Sequence, residues 1–154
     1  MKSIVELLRE RHQTLATAES LTGGLVADAV VSIPGASTVF LGGIVSYTDT
    51  VKASLLGVKK ETLAAHTAVS AEVAREMAEG ARRLIGSDYA ISTTGLAGPM
   101  GGSDGKPVGC VFVGLSSPAG TEVFSLSLSG SRVEIRKKTV DFAIISLRKQ
   151  LTNA

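Results

Sequence analysis

The chain has 154 residues, a net charge of +2 from 16 Lys and Arg against 14 Asp and Glu, 44% apolar residues, 4% aromatics and no tryptophan. Its richness in Ala, Gly, Val and Leu suits one domain with a full core and close helix-on-sheet packing, and argues against a β-sandwich or a base-stacking surface. The near-neutral balance points away from nucleic acid and membrane partners. The lone cysteine, Cys110, excludes an internal disulfide framework and most metal motifs. Residues 1–13 are charged and amphipathic rather than a leader or a membrane span, so the expected location is cytoplasmic.

Ile4, Val5, Leu7 and Leu8 predict a short amphipathic helix, and Leu15 to Ala18 a first strand. Glu19-Ser20-Leu21-Thr22-Gly23-Gly24 comes next, then a helical stretch over 25–31 that ends before Ile33-Pro34-Gly35. Hydroxyls and a glycine pair at a helix start make either an anion cradle or a plain N-cap, with Ser20 or Thr22 as the capping residue. Pro34 to Thr38 reads as a turn in which Ser37 is a turn hydroxyl. Phe40 to Val45 is a buried strand, interrupted by Gly42-Gly43, where backbone or ligand comes close.

Ser46 to Thr50 is all hydroxyl, phenol and carboxylate. Thr50 is the expected N-cap of a short helix over 51–56, stopped at Gly57. Tyr47 and Lys52 are thus delivered from a strand end and a first helical turn, where ligands sit in open α/β sheets. A lysine there opposes the helix macrodipole, and partial burial would lower its pKa. It is then either a general base for a serine or threonine, or a solvated helix lysine.

Lys59 to Ala65 gives another short helical piece, with His66 in the connection after it. Ser70 caps a longer helix whose stripe is Val73, Met77, Ala81 and Leu84, with Arg75, Glu76, Glu79 and Arg82 turned to water. Neither histidine has a carboxylate at a recognisable spacing, so no Ser-His-Asp arrangement is expected. Asp88 to Thr93 is a strand emptying into a long glycine-rich loop, Thr94 to Pro107, which fits neither a Walker nor a dinucleotide pattern. Its glycines permit close approach to a ligand. Val108 to Ser116 and Glu122 to Leu128, joined through Pro118-Ala119-Gly120, form an antiparallel pair. Ser129-Gly130-Ser131 opens a final helix with Val140, Ala143, Ile144, Leu147 and Leu151 on one stripe. Arg132 in its first turn faces either a bound anion or solvent. These elements predict a three-layer α/β/α sandwich with a mixed, mostly parallel sheet, as a single domain over 1–154.

Four blocks occur together and in order: residues 18–24, 42–52, 94–99 and 106–109. In this the chain resembles the CinA C-terminal-domain family, whose members include the nicotinamide-nucleotide amidohydrolases, over about residues 5–151. The resemblance implies hydrolysis of the carboxamide of nicotinamide mononucleotide to nicotinate mononucleotide and ammonia, in a serine–lysine site without metal or other cofactor. Carried over by motif, Ser37 matches the nucleophile, Tyr47 and Lys52 the activating pair, Thr94 a hydroxyl beside the scissile amide, and Arg132 the arginine opening the last helix. Ser20, Thr22, Gly23 and Gly24, with Gly43 and Ser46, and the loop residues Gly95, Ala97, Gly98, Gly101 and Gly102 would hold the ribose-phosphate and pyridine. A small-molecule nucleotide is the implied partner, and a homodimer or higher homo-oligomer the implied assembly. Two departures stand out: Leu21 where the family has cysteine, and Met100 where it has aspartate after Gly-Pro. Many relatives carry a molybdopterin-binding-like domain ahead of this one, so a stand-alone form is expected. The alternatives are a non-catalytic nucleotide-binding module, recognised by binding without ammonia release, and an amidase for another small amide, recognised by a substrate panel.

Overall fold

A computed structural model describes residues 1–102 and 104–154. Ser103, in the glycine-rich loop, lies outside the described residues. In chain order the elements are α1 (Ile4–Glu10), β1 (Leu15–Glu19), α2 (Leu25–Val31), a 3-10 turn (Ala36–Thr38), β2 (Phe40–Val45), α3 (Asp49–Leu56), α4 (Lys60–His66), α5 (Ala71–Ile85), β3 (Tyr89–Gly95), β4 (Cys110–Ser117), β5 (Gly120–Ser127) and α6 (Arg132–Asn153). The five strands form one sheet in the order β2-β1-β3-β4-β5. β1 pairs in parallel with β2 and β3, while β4 runs antiparallel to β3 and β5. The mixed, mostly parallel sheet of an α/β fold is therefore present, and β1 and β3 flank the point where the winding reverses.

Each face carries its own core. On one, Val5 and Leu8 of α1, Val26 and Val30 of α2, and Ile135, Ala143 and Leu147 of α6 pack against Leu15, Ile91, Val111 and Val113. On the other, Leu56, Val73, Met77 and Ala81 cover Ala16, Ala18 and Ala90. Alanines on this second face let α5 approach closely. α3 comes in closer still, because a Cβ on Gly80 would lie only 1.9 Å from the Leu56 carbonyl oxygen.

Pairing of β1 with β2 skips Leu41, since Leu15 opposes Phe40 and Ala16 opposes Gly42. One extra residue reverses the facing of the remainder of the strand. Phe40 accordingly packs on the α1/α6 side and Ile44 on the α5 side, leaving Leu41 half exposed.

Several local expectations shift. The cap of α3 is Thr48, whose Oγ1 accepts from Val51 N–H, because the helix already includes Asp49 and Thr50. Leu84 is exposed, and Ile85 takes the last apolar contact of α5. Arg82 does not face water alone: it donates to the Ser117 carbonyl at 2.8 Å. The capping serines of α5 and α6, Ser70 and Ser131, each accept an N–H three residues on.

Candidate active site

Parallel β1 and β3 end side by side, and their carboxyl ends open into a cavity of about 460 Å³. Ser20 and Leu21 follow β1, Thr94 and Gly95 end β3, and Lys52 enters from the first turn of α3. Ala68 and Val69, from the connection before α5, form one wall; Ala97, Gly98 and Met100 form another; Tyr47 and Arg132 stand at the rim.

Lys52 is 1% exposed. Its Nζ donates to the Ser46 carbonyl at 2.9 Å, to Ser20 Oγ at 3.2 Å and to the Tyr47 carbonyl at 3.5 Å. No carboxylate lies within ion-pair distance among the described residues. Burial pushes its pKa below that of an ordinary lysine, and Asp49 opposes the shift only in part. An amine so placed gives up its proton more readily than one in water.

Ser20 is held by its neighbours. Its N–H donates to the Thr93 carbonyl at 3.0 Å. The preceding Glu19 is buried at 1% exposure, and its carboxylate accepts from Thr22 Oγ1 and from the N–H groups of Val26 and Ala27. A carboxylate spread over one hydroxyl and two amides fixes the start of α2 and the turn before it. Arg136 of α6 closes that turn from outside, donating to the carbonyls of Leu21 at 2.9 Å and Thr22 at 3.3 Å. Among the described residues, the N–H groups of Leu21 and Thr22 have no protein acceptor.

Of the five residues matched to catalysis, four gather here and one does not. Lys52, Thr94, Tyr47 and Arg132 line one cavity. Thr94 Oγ1 donates to the Ala68 carbonyl at 2.7 Å, leaving its lone pairs for another donor. Arg132 donates to the Gly98 carbonyl at 2.7 Å and approaches the Tyr47 phenol at 3.4 Å. Only the Tyr47 backbone approaches Lys52; its side chain is at the rim, and the residue is 61% exposed. Ser37 lies apart from them within the chain. It sits in the 3-10 turn before β2, bordering a separate cavity with Pro34 and Phe40. That is the amino end of β2, a strand length of about 17 Å from the carboxyl end where Lys52 enters.

The residues matched to binding also divide. Ser20, Gly95, Ala97 and Gly98 line the cavity. Ser46 is buried, and its carbonyl holds Lys52. Thr22 is buried on Glu19 and Thr93, and Gly23 lies beside Arg136, so both shape the turn rather than the cavity wall. Gly24 begins α2 in a left-handed conformation. Gly43 is explained by Thr17, whose Oγ1 would lie 2.2 Å from any Cβ there. Gly101 and Gly102 close the loop on itself, the latter by donating to the Lys106 carbonyl. His66 does approach a carboxylate, Glu72, at 3.6 Å. Sequence reasoning missed Glu19 and Arg136, and cast Ser20 only as a binding residue. A carboxylate directly before the Ser-x-Thr-Gly-Gly turn was the one available sign. Among the described residues no group of three His, Cys, Asp or Glu could hold a metal ion, and no helix is long and apolar enough to cross a membrane.

The sequence profile of the CinA C-terminal domain matches residues 1–151. The chain belongs to the CinA C-terminal domain family. It is 52% identical over 148 residues to a Caldanaerobacter subterraneus protein named for competence-damage induction, covering 96% of this chain and 36% of that one. A CinA-like protein of Endomicrobium trichonymphae is 49% identical over 145 residues, 94% of this chain and 34% of its own length. The chain thus spans about a third of the length of the curated relatives it matches. Among solved structures, a CinA superfamily protein from Klebsiella pneumoniae superposes with a TM-score of 0.95 at 34% identity, over 98% of this chain and 94% of that one. The competence/damage inducible protein CihA from Agrobacterium tumefaciens gives a TM-score of 0.85 at 38% identity, over 96% of this chain and 97% of that one.

Proposed function

We propose that this CinA domain hydrolyses the carboxamide of nicotinamide mononucleotide, with Ser20 as nucleophile and Lys52 as its base. The observation that carries the reading is the buried Lys52 Nζ, 3.2 Å from Ser20 Oγ at the wall of a cavity. Neutral Lys52 takes the serine proton as Oγ bonds to the amide carbon. The resulting oxyanion is met by the free N–H group of Leu21, which borders the cavity; one such donor is typically worth about 3 kcal/mol. The C–N bond then breaks, and ammonia leaves with the proton returned from Lys52. Water, deprotonated by the same amine, cleaves the acyl-serine ester to give the carboxylate and free Ser20. Thr94 accepts from the amide nitrogen, and Arg132 meets the phosphate at the rim.

The reading is tested by ammonia release from nicotinamide mononucleotide. Ser20→Ala and Lys52→Met should each lose at least about a thousandfold in kcat, whereas Ser37→Ala should stay near wild type. Full turnover by the Ser20 variant would remove the proposed nucleophile. Tight mononucleotide binding with no ammonia from the wild-type chain would favour a non-catalytic binding module, and hydrolysis of a different amide would reassign the substrate.

A further inference from the structure

Lys106 does not line the cavity, yet it is tied to the segment that does. Its Nζ donates to the carbonyls of Val69 at 2.5 Å and His66 at 3.1 Å and to Thr67 Oγ1 at 3.1 Å, and lies 2.9 Å from Asp104 Oδ2. Thr67 Oγ1 in turn donates to Asp104 Oδ2 at 2.8 Å. The two carbonyls bracket Ala68, whose own carbonyl receives the Thr94 hydroxyl. Thr67 combines φ of 64° with ψ of 169°, a conformation that a β-branched residue adopts only when its surroundings impose it. A compact cation with three rotatable donors suits this cluster of acceptors better than a planar guanidinium would. Asp104 stays ionised throughout the neutral range, because the ammonium and the Thr67 hydroxyl hold its carboxyl at about 2.

We propose that Lys106 is a positioning residue: braced by Asp104, it straps the 66–69 connection to the glycine-rich loop and so sets the Ala68–Val69 wall. The strap shares no hydrogen bond with Lys52 or Ser20 among the described residues. Its loss therefore loosens substrate binding and leaves the proton chemistry untouched. The kinetic part of this inference rests on the deamidase reading; the mechanical part does not.

Two readouts on Lys106→Met decide it. Amide exchange in peptides covering residues 66–70 should accelerate about tenfold or more, while peptides from β1 and α6 keep wild-type protection. With nicotinamide mononucleotide, KM should rise about tenfold or more while kcat and its pH midpoint stay within about twofold of wild type. A lysine serving stability alone would lower Tm without moving KM. If Lys106→Met does not fold, Asp104→Asn, at the exposed side of the strap, should give the same pattern at smaller amplitude. Unchanged exchange over 66–70 in the folded variant overturns the inference, and so does an unchanged KM. A wild-type chain without turnover sinks the deamidase reading instead, and the exchange result still decides the strap.

Discussion

Replacing Lys52 by methionine separates function from stability. The ammonium is 1% exposed, faces three oxygen acceptors and has no carboxylate within ion-pair distance among the described residues. Burying an unpaired cation costs several kcal/mol even after relaxation. Hydrogen bonds to a charged group return about 1.5–3 kcal/mol each, and here two lie within 3.2 Å. The opposing contributions nearly cancel. Methionine fills a similar volume and removes the charge, but leaves the Ser46 carbonyl without its donor, at about 1–3 kcal/mol. The variant should therefore unfold within about 2 kcal/mol of wild type, a Tm shift of at most about 4–8 °C for a chain of this size, while losing at least about a thousandfold in activity. The pH dependence carries the sign. Since the folded state holds Lys52 below 10.5, the unfolded chain binds the extra proton between the folded pKa and 10.5. Wild-type stability therefore gains on the methionine variant as pH rises through that window. Urea melts of both proteins at stepped pH, run beside the ammonia assay, measure all three quantities. A methionine variant destabilised by more than about 4 kcal/mol, or one that still turns over, would refute the argument that this lysine is kept for chemistry.

Two further substitutions test the packing behind the site. Among the described residues Thr17 Oγ1, beside Gly43, is buried without a partner, so Thr17→Val should stabilise the chain by about 1 kcal/mol, raising Tm by about 2–4 °C; a lower melting temperature would mean that the hydroxyl is satisfied. In Gly80→Ala, helix propensity favours alanine by about 1 kcal/mol, yet the new Cβ would meet the Leu56 carbonyl. The contact should win by about 3 kcal/mol, seen as a lower urea midpoint with an unchanged slope.

Much of the layout is legible because it is written locally. The period of the stripes, the Gly57 stop and the alternation of strands and helices lead to the α/β/α arrangement and deliver Tyr47 and Lys52 from the end of β2. The parts that stay hidden depend on strand neighbours. Ser20 and Lys52 are thirty-two positions apart, and only the parallel pairing of β1 with β2 brings them together. The same pairing puts Ser37 at the wrong end, since a residue before a parallel strand cannot reach its carboxyl edge. Glycines are the least readable signal. Gly43 and Gly95 both read as ligand contacts in the sequence. The first makes room for Thr17, and the second for Val111 and the Cys110 carbonyl although it also lines the cavity. Neither contact can be inferred without knowing the register.

Arg132 and Arg136 reach back from α6 to the Gly98 carbonyl and the Leu21–Thr22 turn, contacts spanning 34 and more than 110 positions of sequence. During synthesis the nascent chain must expose residue 132 before the first clamp can close and residue 136 before the second. The Ser20–Gly24 turn, among the earliest pieces of this domain to leave the ribosome and tied locally to Glu19, therefore lacks its outer clamp until nearly all of the domain has emerged. The finished form of the turn is thus acquired late, coupled to docking of the final helix.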